Sequence, residues 1–210
     1  MGPPGSGKGT RAKIIGKMYD IPVITTGDML REAVSEGTEL GKQAEGYMKK
    51  GELVRDDIVI GIVEERMGKS DLDRGFILDG FPRSVRQAEA LDRILNKLET
   101  MIDTVLYIDA KPETILERLS LRRSCSNCGA IYHLIYKPPE NEGACNECGG
   151  ELFHRDDDRE EIILHRFEVY EKQTYPILER YENRGKVQRM DGEINIEEIS
   201  DEVERILGPP

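Results

Sequence analysis

A glycine-rich loop that leads directly into a helical pattern is the feature that most constrains this chain. Its first residues read MGPPGSGKGT, with Lys8 between two glycines and Thr10 after them. The segment RAKIIGKMY that follows has the spacing of a basic amphipathic helix. Glycines let successive backbone N–H groups converge on phosphate oxygens, and a helix N-terminus adds partial positive charge. The pattern predicts a phosphate-binding loop in which Lys8 supplies a point charge and a nearby hydroxyl reaches Mg²⁺.

The loop departs from the strict pattern at one position. A serine or threonine normally follows the lysine directly, whereas here Gly9 follows it and Thr10 comes one place later. A flexible glycine-rich N-terminus is the alternative interpretation. The lysine and threonine at these spacings, directly before a helix, favour phosphate binding.

The length and charge of the chain limit what kind of protein it is. Its 210 residues suffice for one core with a small inserted module. A net charge of −11 argues against broad binding to nucleic acid or to an anionic membrane, since either needs a basic surface. The sequence has no apolar run long enough to span a bilayer and no signal peptide before the loop, so we expect a cytoplasmic protein. Any anionic ligand must then be held by locally concentrated arginines.

Four apolar segments rich in β-branched residues predict strands, at 21–25, 75–79, 104–109 and 186–191. Helical patterns alternate with them, which predicts an α/β protein with a parallel sheet and helices on both faces. Local residues punctuate the helices. Gly37, Gly51 and Gly68 are expected to end helices, Pro112 to begin one, and Pro176 to divide a long helical pattern in two.

Two stretches interrupt the alternation and are expected to be inserts. Residues 26–54 are helix-rich and contain no strand pattern, whereas residues 121–158 hold the cysteines, a KPP sequence and several glycines. The remaining segments are expected to form the core domain, and they are residues 1–25, 55–120 and 159–210.

The cysteines form two pairs of identical spacing, Cys125 with Cys128 and Cys145 with Cys148, separated by sixteen residues. This is a zinc-ribbon spacing, and four thiolates leave no open position for a substrate, so the predicted zinc site is structural. A redox role for one pair is the weaker alternative, because two matched pairs would not be needed. His133 and His154 lie nearby but are not expected to be ligands, since four sulfurs complete the shell.

The loop GPPGSGKGT, with a glycine between lysine and threonine, resembles the phosphate loop of the adenylate kinases. Six further segments occur in that family's order and near its spacing: TTGDMLR (25–31), GELV (51–54), LDGFPRSVRQAEAL (78–91), RLSLRRSC (118–125), RDDDREE (155–161) and HRFEVYEKQTYPI (165–177). The resemblance implies a P-loop NTPase-like parallel sheet flanked by helices, a helical AMP-binding insert at 26–54 and a zinc-binding lid at 121–158. It also implies the reaction MgATP + AMP ⇌ 2 ADP, carried out by a monomer.

The resemblance further implies which residues bind each nucleotide. For ATP they are Gly5, Ser6, Gly7, Lys8, Gly9, Thr10, Arg118, Arg122, Ile131 and Tyr132. For AMP they are Thr26, Arg31, Glu52, Leu53, Val54, Gly80, Phe81, Pro82, Arg83, Gln87, Arg155 and Arg166. Those implied to be catalytic are Lys8, Arg83, Arg122, Arg155 and Arg166. Phosphoryl transfer needs two aligned phosphates and stabilised charge, so arginines arriving from several segments suit the chemistry. Any one arginine taken alone is more often an ordinary surface residue, as we expect for Arg123 and Arg159.

Three positions have structural alternatives. Asp79 ends a predicted strand, where by similarity it would bind Mg²⁺ through water, although it could instead form a turn. Gln87 resembles a residue that reads the adenine of AMP, but Ser84 and Gln87 also fit a capping box. Thr26 could cap the helix that follows it, face a nucleotide, or do both.

The acidic run Asp156, Asp157 and Asp158 has three interpretations. It could bind a metal, or its last residue could begin the helical pattern, where acids are favoured by the helix dipole. By resemblance, Asp157 and Asp158 would steady the closed lid.

Rival functions remain open at this point. Within the same class, the chain could be another nucleoside monophosphate kinase or a GTP-using relative. From a different class, a nucleotide-regulated zinc-ribbon module that binds nucleic acid would explain both the cysteines and the loop. That module predicts a basic patch with stacking aromatics, whereas this chain is acidic and has no tryptophan.

In the fold that the resemblance implies, the strand before the phosphate loop lies near the middle of the sheet. Its absence would leave buried backbone groups of the neighbouring strands unpaired. We therefore expect that this first, central strand is missing from the chain as given, through a start placed at an internal methionine or through truncation.

Overall fold

The chain forms nine α-helices and seven strands in a computed structural model that describes residues 1–210. The strands are β1 (Val23–Thr25), β2 (Ile77–Asp79), β3 (Val105–Asp109), β4 (Arg122–Cys125), β5 (Ile131–His133), β6 (Leu152–Phe153) and β7 (Val187–Asp191). The helices are α1 (Lys8–Tyr19), α2 (Thr26–Ser35), α3 (Glu39–Lys50), α4 (Asp56–Met67), α5 (Val85–Lys97), α6 (Pro112–Ser120), α7 (Glu160–Val169), α8 (Tyr175–Glu182) and α9 (Ile199–Leu207). The helices lack the combination of length and apolar character that crossing a membrane requires.

The four predicted strands all form, as two parallel pairs. β1 pairs with β2, placing Thr25 opposite Asp79, and β3 pairs with β7, placing Asp109 opposite Asp191. Helices alternate with these strands, so the predicted α/β class with parallel strands is confirmed. Asp79 therefore lies at the carboxyl end of β2, the edge at which parallel sheets usually bind their ligands.

The edge of β3 that faces away from β7 is hydrogen-bonded to the first residue of the chain. The amino group of Met1 donates to the Leu106 carbonyl, and the Ile108 amide donates to the Met1 carbonyl at 2.8 Å. β2 pairs with β1 alone, so the two parallel pairs share no strand. The backbone of Gly2 lies so close to β3 that a Cβ on it would be 2.3 Å from the Ile108 carbonyl oxygen. Met1 thus fixes the point from which the phosphate loop starts.

The largest apolar core joins β1 to the helices that surround it. Its twelve buried residues come mainly from α4 and α5, and those of α5, Leu91, Ile94 and Leu95, recur at helical spacing. A second cluster packs Ile15 of α1 against Ile108 of β3 and the buried face of α9. These two clusters hold α1 and the ends of the strands in fixed relation.

Helix punctuation agrees with the sequence. α3 ends at Gly51, whose φ of 72° lies in the left-handed region that favours glycine. Pro112 occupies the first turn of α6. A π-helical turn at Tyr170–Thr174 separates α7 from α8, and Pro176 stands in the first turn of α8, so the predicted division of the long helical pattern is confirmed.

The cysteine segment folds as a small antiparallel sheet of its own. Its strands lie in the order β5, β4, β6. The segment between β1 and α4 is helical, as α2 and α3.

Candidate active site

The phosphate loop ends at an uncapped helix N-terminus. Gly7 is the N-cap of α1, no side chain caps this helix, and its first turn contains no acidic residue. Gly5 and Gly7 have φ angles of 81° and 90°, and a Cβ on Gly5 would lie 2.9 Å from Leu119 Cγ. The N–H groups of the first turn of a helix have no partner within the helix. The loop can therefore present backbone donors to an anion.

Lys8 lies where positive charges from three other segments converge. Its ammonium group donates to the Pro3 carbonyl at 2.6 Å. Burial, opposed by Asp79 and reinforced by the charges of Arg83, Arg166 and Arg122, lowers the pKa of Lys8 to about 7. The shift shows that these side chains share one electrostatic environment, although they are distant in sequence.

Two aspartates neutralise part of this charge. The Asp158 side chain is fully buried and accepts two hydrogen bonds from Arg122, at 2.7 and 2.5 Å. Arg166 pairs with Asp158 at 3.1 Å and with Asp157 at 2.9 Å. Burial alone would raise the pKa of Asp157, but the charges of Arg166 and Arg122 lower it below its usual value. The helix-start interpretation of Asp158 is therefore wrong, because α7 begins only at Glu160 and the carboxylate binds arginines instead.

Five cations in this region have no carboxylate within ion-pair distance. They are Lys8, Arg11, Arg83, Arg118 and Arg155. Arg83 donates to the Gly80 carbonyl at 2.8 Å, and Arg155, which is buried, donates to Ser124 Oγ at 2.7 Å. Burial, with the charges of Arg31 and Arg122, lowers the pKa of Arg155 to about 9. The region is strongly electropositive within a chain whose net charge is −11.

One cleft beside the loop collects nine of the twelve residues predicted to bind AMP. They are Thr26, Arg31, Glu52, Leu53, Val54, Gly80, Arg83, Gln87 and Arg166. Phe81, Pro82 and Arg155 do not line it, and Phe81 is buried in the largest apolar core. The cleft lining includes the apolar residues Leu30, Met48 and Val59 and three arginines. It therefore combines features suited to a flat apolar group and to an anion.

The structure excludes the capping role of Thr26. Thr25 precedes α2 as its N-cap, and no side chain caps this helix. The Thr26 hydroxyl instead donates to the Gly80 carbonyl at 2.9 Å. The capping interpretation of Thr26 is therefore wrong, and its hydroxyl ties α2 to the turn after β2.

Gln87 fits only half of the capping box. Ser84 Oγ accepts the Gln87 amide hydrogen at 3.1 Å, as a cap does. The Gln87 side chain accepts from the Arg83 amide at 2.7 Å and donates to Asp56 Oδ1 at 2.8 Å. Gln87 is held rigidly by these two bonds at the wall of the cleft.

Asp79 faces the phosphate loop. A Cβ on Gly9 would lie 3.3 Å from Asp79 Oδ2, so any larger residue after Lys8 would crowd this carboxylate. The Asp79 carboxylate forms no ion pair with a protein cation, so its oxygens are free to accept other bonds. An unpaired carboxylate at the strand end suits a hydrated Mg²⁺ bound to phosphate.

The residues predicted to bind ATP do not all lie at the loop. Arg118 of α6 donates to the Gly192 carbonyl at 2.9 Å, next to the carboxyl end of β7. Tyr132 is buried inside the cysteine segment. Its hydroxyl lies 3.3 Å from Cys145 Sγ and accepts a hydrogen bond from the backbone amide of Asn146. That burial does not favour the predicted contact between its side chain and ATP, whereas Ile131 is half-buried.

The four cysteines form a cluster with the dimensions of a zinc site. All four Sγ atoms lie within 4.8 Å of one another, and the pairs Cys125–Cys148 and Cys128–Cys145 are 3.5 and 3.6 Å apart. Four sulfurs about 2.3 Å from a tetrahedral zinc would be about 3.8 Å apart. A Cβ on Gly150 would lie 2.9 Å from Cys125 Sγ, so a larger residue there would distort the cluster. These thiols fit a zinc ion, and neither His133 nor His154 belongs to the cluster.

Several residues at the site were missed by the sequence interpretation. Asp56 positions Ser84 and Gln87, yet it reads in sequence as an ordinary acidic residue in the first turn of a helix. Met48 and Gly51 line the cleft from the end of α3, and a Cβ on Gly51 would lie 2.7 Å from Arg166 Cγ. The GELV segment that begins at Gly51 was the one available indication of this contact.

The fold and the site define an α/β protein of the P-loop class, with a cleft lined by arginines beside its phosphate loop. A family model described as Adenylate kinase matches residues 1–186. The adenylate kinase of Archaeoglobus fulgidus is 53% identical over 207 residues, which are 99% of this chain and 95% of that protein. Those of Methanothrix thermoacetophila and Geobacillus sp. WCH70 are each 51% identical over 99% of this chain and 96% of their own length. The chain belongs to the adenylate kinase family.

The arginine–aspartate cluster generates a stability prediction. Asp158→Asn removes the buried negative charge while keeping the shape, which leaves Arg122 with no carboxylate partner. We expect the free energy of unfolding to fall by about 3–5 kcal/mol, because one partner of a buried pair stays charged and unpaired. Chemical denaturation measures this change.

Asp156→Asn is the matched control, since Asp156 is exposed and pairs only with Arg159 at 2.9 Å. It should change the free energy of unfolding by less than about 1 kcal/mol. Equal decreases in the free energy of unfolding of the two variants would show that the buried cluster contributes no more to stability than an exposed ion pair.

Proposed function

We propose that this protein catalyses reversible phosphoryl transfer from MgATP to AMP, giving two ADP. The observation that carries the proposal is the convergence of Lys8, Arg83, Arg122 and Arg166 at the point where the phosphate loop meets the cleft. Membership of the adenylate kinase family supports the same reaction. Phosphoryl transfer needs alignment and electrostatic stabilisation more than covalent chemistry, and this arrangement can supply both.

On the donor side, the loop Gly5–Thr10 binds the phosphates of ATP through its backbone N–H groups and Lys8. Arg118 and Arg122 contact ATP from α6 and β4, and the backbone around Ile131 and Tyr132 covers it. The assignment of these residues to ATP is supported by the uncapped N–H groups in the first turn of α1 and by the lack of a carboxylate partner at Lys8 and Arg118.

On the acceptor side, the cleft takes AMP. Arg31, Arg83 and Arg166 bind its phosphate, while the apolar lining residues and Gln87 receive its base, with Thr26 and the segment 52–54 around it. Gly80, Phe81 and Pro82 form the turn that carries Arg83 into the site. The clustering of most of these residues around one cleft supports the proposal.

Between the two nucleotides, cations stabilise the charge on the transferring phosphoryl group. Lys8, Arg83, Arg122, Arg155 and Arg166 perform this step, and none of them needs to act as a base. Asp157 and Asp158 hold Arg122 and Arg166 in place. Arg122 lies in the segment 121–158 and Arg166 in α7, so closure of that segment would hold Arg122 against the phosphates beside Arg166 and exclude water.

We assign three parts to the chain: a core of residues 1–25, 55–120 and 159–210, an AMP-binding insert at 26–54, and a lid at 121–158. The helical nature of the first insert and the separate sheet of the second support this division. The site is built from one chain, which suits a monomer. Clustered free thiols suit the reducing cytoplasm.

Two metal ions have places in this assignment. Asp79 would bind Mg²⁺ through water, and Mg²⁺ neutralises phosphate charge when it is bound with ATP. Cys125, Cys128, Cys145 and Cys148 would hold a structural zinc ion that stiffens the lid.

A direct assay tests the reaction. The purified protein is given MgATP with each nucleoside monophosphate in turn, and diphosphate formation is followed by chromatography. We expect ADP from ATP plus AMP, and Lys8→Ala should lower kcat/KM by at least about a hundredfold with an unchanged melting temperature. Turnover of a different acceptor but not of AMP would contradict the proposed specificity for AMP. A fully active Lys8→Ala enzyme would refute the assignment of the loop to ATP phosphates.

The lowered pKa of Lys8 predicts proton uptake when ATP binds. At about pH 8 most Lys8 side chains are neutral, since their pKa is about 7, and the phosphates of ATP should restore the charge by raising it. Calorimetry in buffers of different ionisation enthalpy measures the uptake. We expect up to one proton per ATP at about pH 8 and much less at about pH 6, where Lys8 is already charged. Lys8→Met should abolish the uptake, and an undiminished value in that variant would contradict the assignment.

Zinc removal should loosen the lid without destroying the chemistry. We expect the purified protein to contain one zinc ion per chain, and a chelator to lower the melting temperature by several degrees, because the segment has little apolar core of its own. Elemental analysis and calorimetry measure the two effects. An unchanged melting curve, or protein that purifies without zinc, would contradict the structural role.

A further inference from the structure

Arg11 is a buried cation on the first helix that the proposed mechanism does not use. Its side chain is directed toward the end of β7, and only 4% of the residue is exposed. Its guanidinium donates to the Asp191 carbonyl at 2.9 Å and to Met190 Sδ at 3.2 Å, and reaches the Ser6 carbonyl at 3.5 Å. Arg11 therefore joins the phosphate loop to the turn that follows β7.

Arg118 reaches the same turn from the other side. It donates to the Gly192 carbonyl, the neighbour of the carbonyl that Arg11 binds. A Cβ on Gly7 would lie 2.5 Å from Arg11 Nη1 and 4.0 Å from Arg118 Nη1. The two guanidinium groups thus lie side by side against the last glycine before α1.

Neither arginine has a carboxylate within ion-pair distance. Burial, reinforced by the charge of Arg118 and opposed by Asp191, lowers the pKa of Arg11 to about 10, so Arg11 stays charged at neutral pH. A buried charge without a counter-ion is costly to the folded protein. A bound polyanion on the loop in front of it would offset that cost.

We propose that Arg11 is a positioning residue for the donor nucleotide, holding the phosphate loop against the turn at 191–192 and adding positive potential behind Gly7. This inference rests on the proposed binding of ATP to the loop. Arg11 does not line the cleft assigned to AMP. Its effect should therefore fall on ATP rather than on AMP, and should grow with the number of phosphates on the ligand.

The test compares Arg11→Gln, which removes the charge but keeps an amide donor, with Arg11→Lys, which keeps the charge. Arg189→Gln is the control, since Arg189 is on the same strand as Asp191 but is exposed and pairs with Glu182. Calorimetry measures the dissociation constants of ATP, ADP and AMP, and steady-state kinetics gives KM for ATP and for AMP.

We expect Arg11→Gln to weaken ATP binding about tenfold and ADP binding less, with AMP changed less than about twofold and a flatter salt dependence for ATP. Arg11→Lys keeps the charge but cannot make all three guanidinium contacts, so we expect a smaller loss of about threefold, again for ATP. Equal weakening of ATP and AMP, unchanged ATP binding, or a lysine variant as impaired as the glutamine variant would overturn the proposal.

The remaining outcomes of this test also distinguish the role of Arg11 from the proposed function. If Arg11→Gln fails to fold, Arg11→Lys alone decides: a loss of about threefold that is confined to ATP supports positioning of the donor, whereas a loss of about tenfold or more, or an equal loss for AMP, refutes it. If the unmodified protein does not bind ATP or form ADP, the proposed function fails. If it does both and Arg11→Gln is unselective, only the role of Arg11 fails.

Discussion

Positive charge held out of water around the phosphate loop determines how the surrounding side chains are arranged. Lys8 is held among three arginines, and its lowered pKa records how strongly their charges and the burial act on it. Such a cluster is unfavourable unless the protein fixes it or an anion binds it. Two aspartates, Asp157 and Asp158, neutralise Arg122 and Arg166, and the remaining cations are left for phosphates.

Glycines and backbone carbonyls allow this crowding. Gly51 takes a left-handed conformation directly against Arg166, and Gly80, with a φ of 82°, lies against both Arg83 and Thr26. A side chain at either position would push an arginine away from the cleft. The carbonyl of Gly80 accepts hydrogen bonds from both of these side chains. One turn therefore positions Arg83 and anchors the N-terminus of α2.

Much of this could be read from the sequence. The four strands and the ends of several helices follow from local patterns, and the cysteine spacing predicted a cluster whose sulfurs do lie together. Side-chain partners could not be read in the same way. Thr26 stands at a helix start but bonds across to Gly80, because tertiary contacts decide where a hydroxyl points. Arg11 looks like one more basic residue on an amphipathic helix, and only the packing of α1 against β7 reveals its burial.

In the proposed reaction one chain binds two nucleotides end to end, with their phosphates meeting at Lys8. Diadenosine pentaphosphate, in which two adenosines share one phosphate chain, tests this directly by calorimetry. We expect one such molecule per chain, bound at least about a hundredfold more tightly than ATP, because linking the two halves removes most of the cost of binding the second. Two molecules per chain, or an affinity no greater than that of ATP, would contradict it.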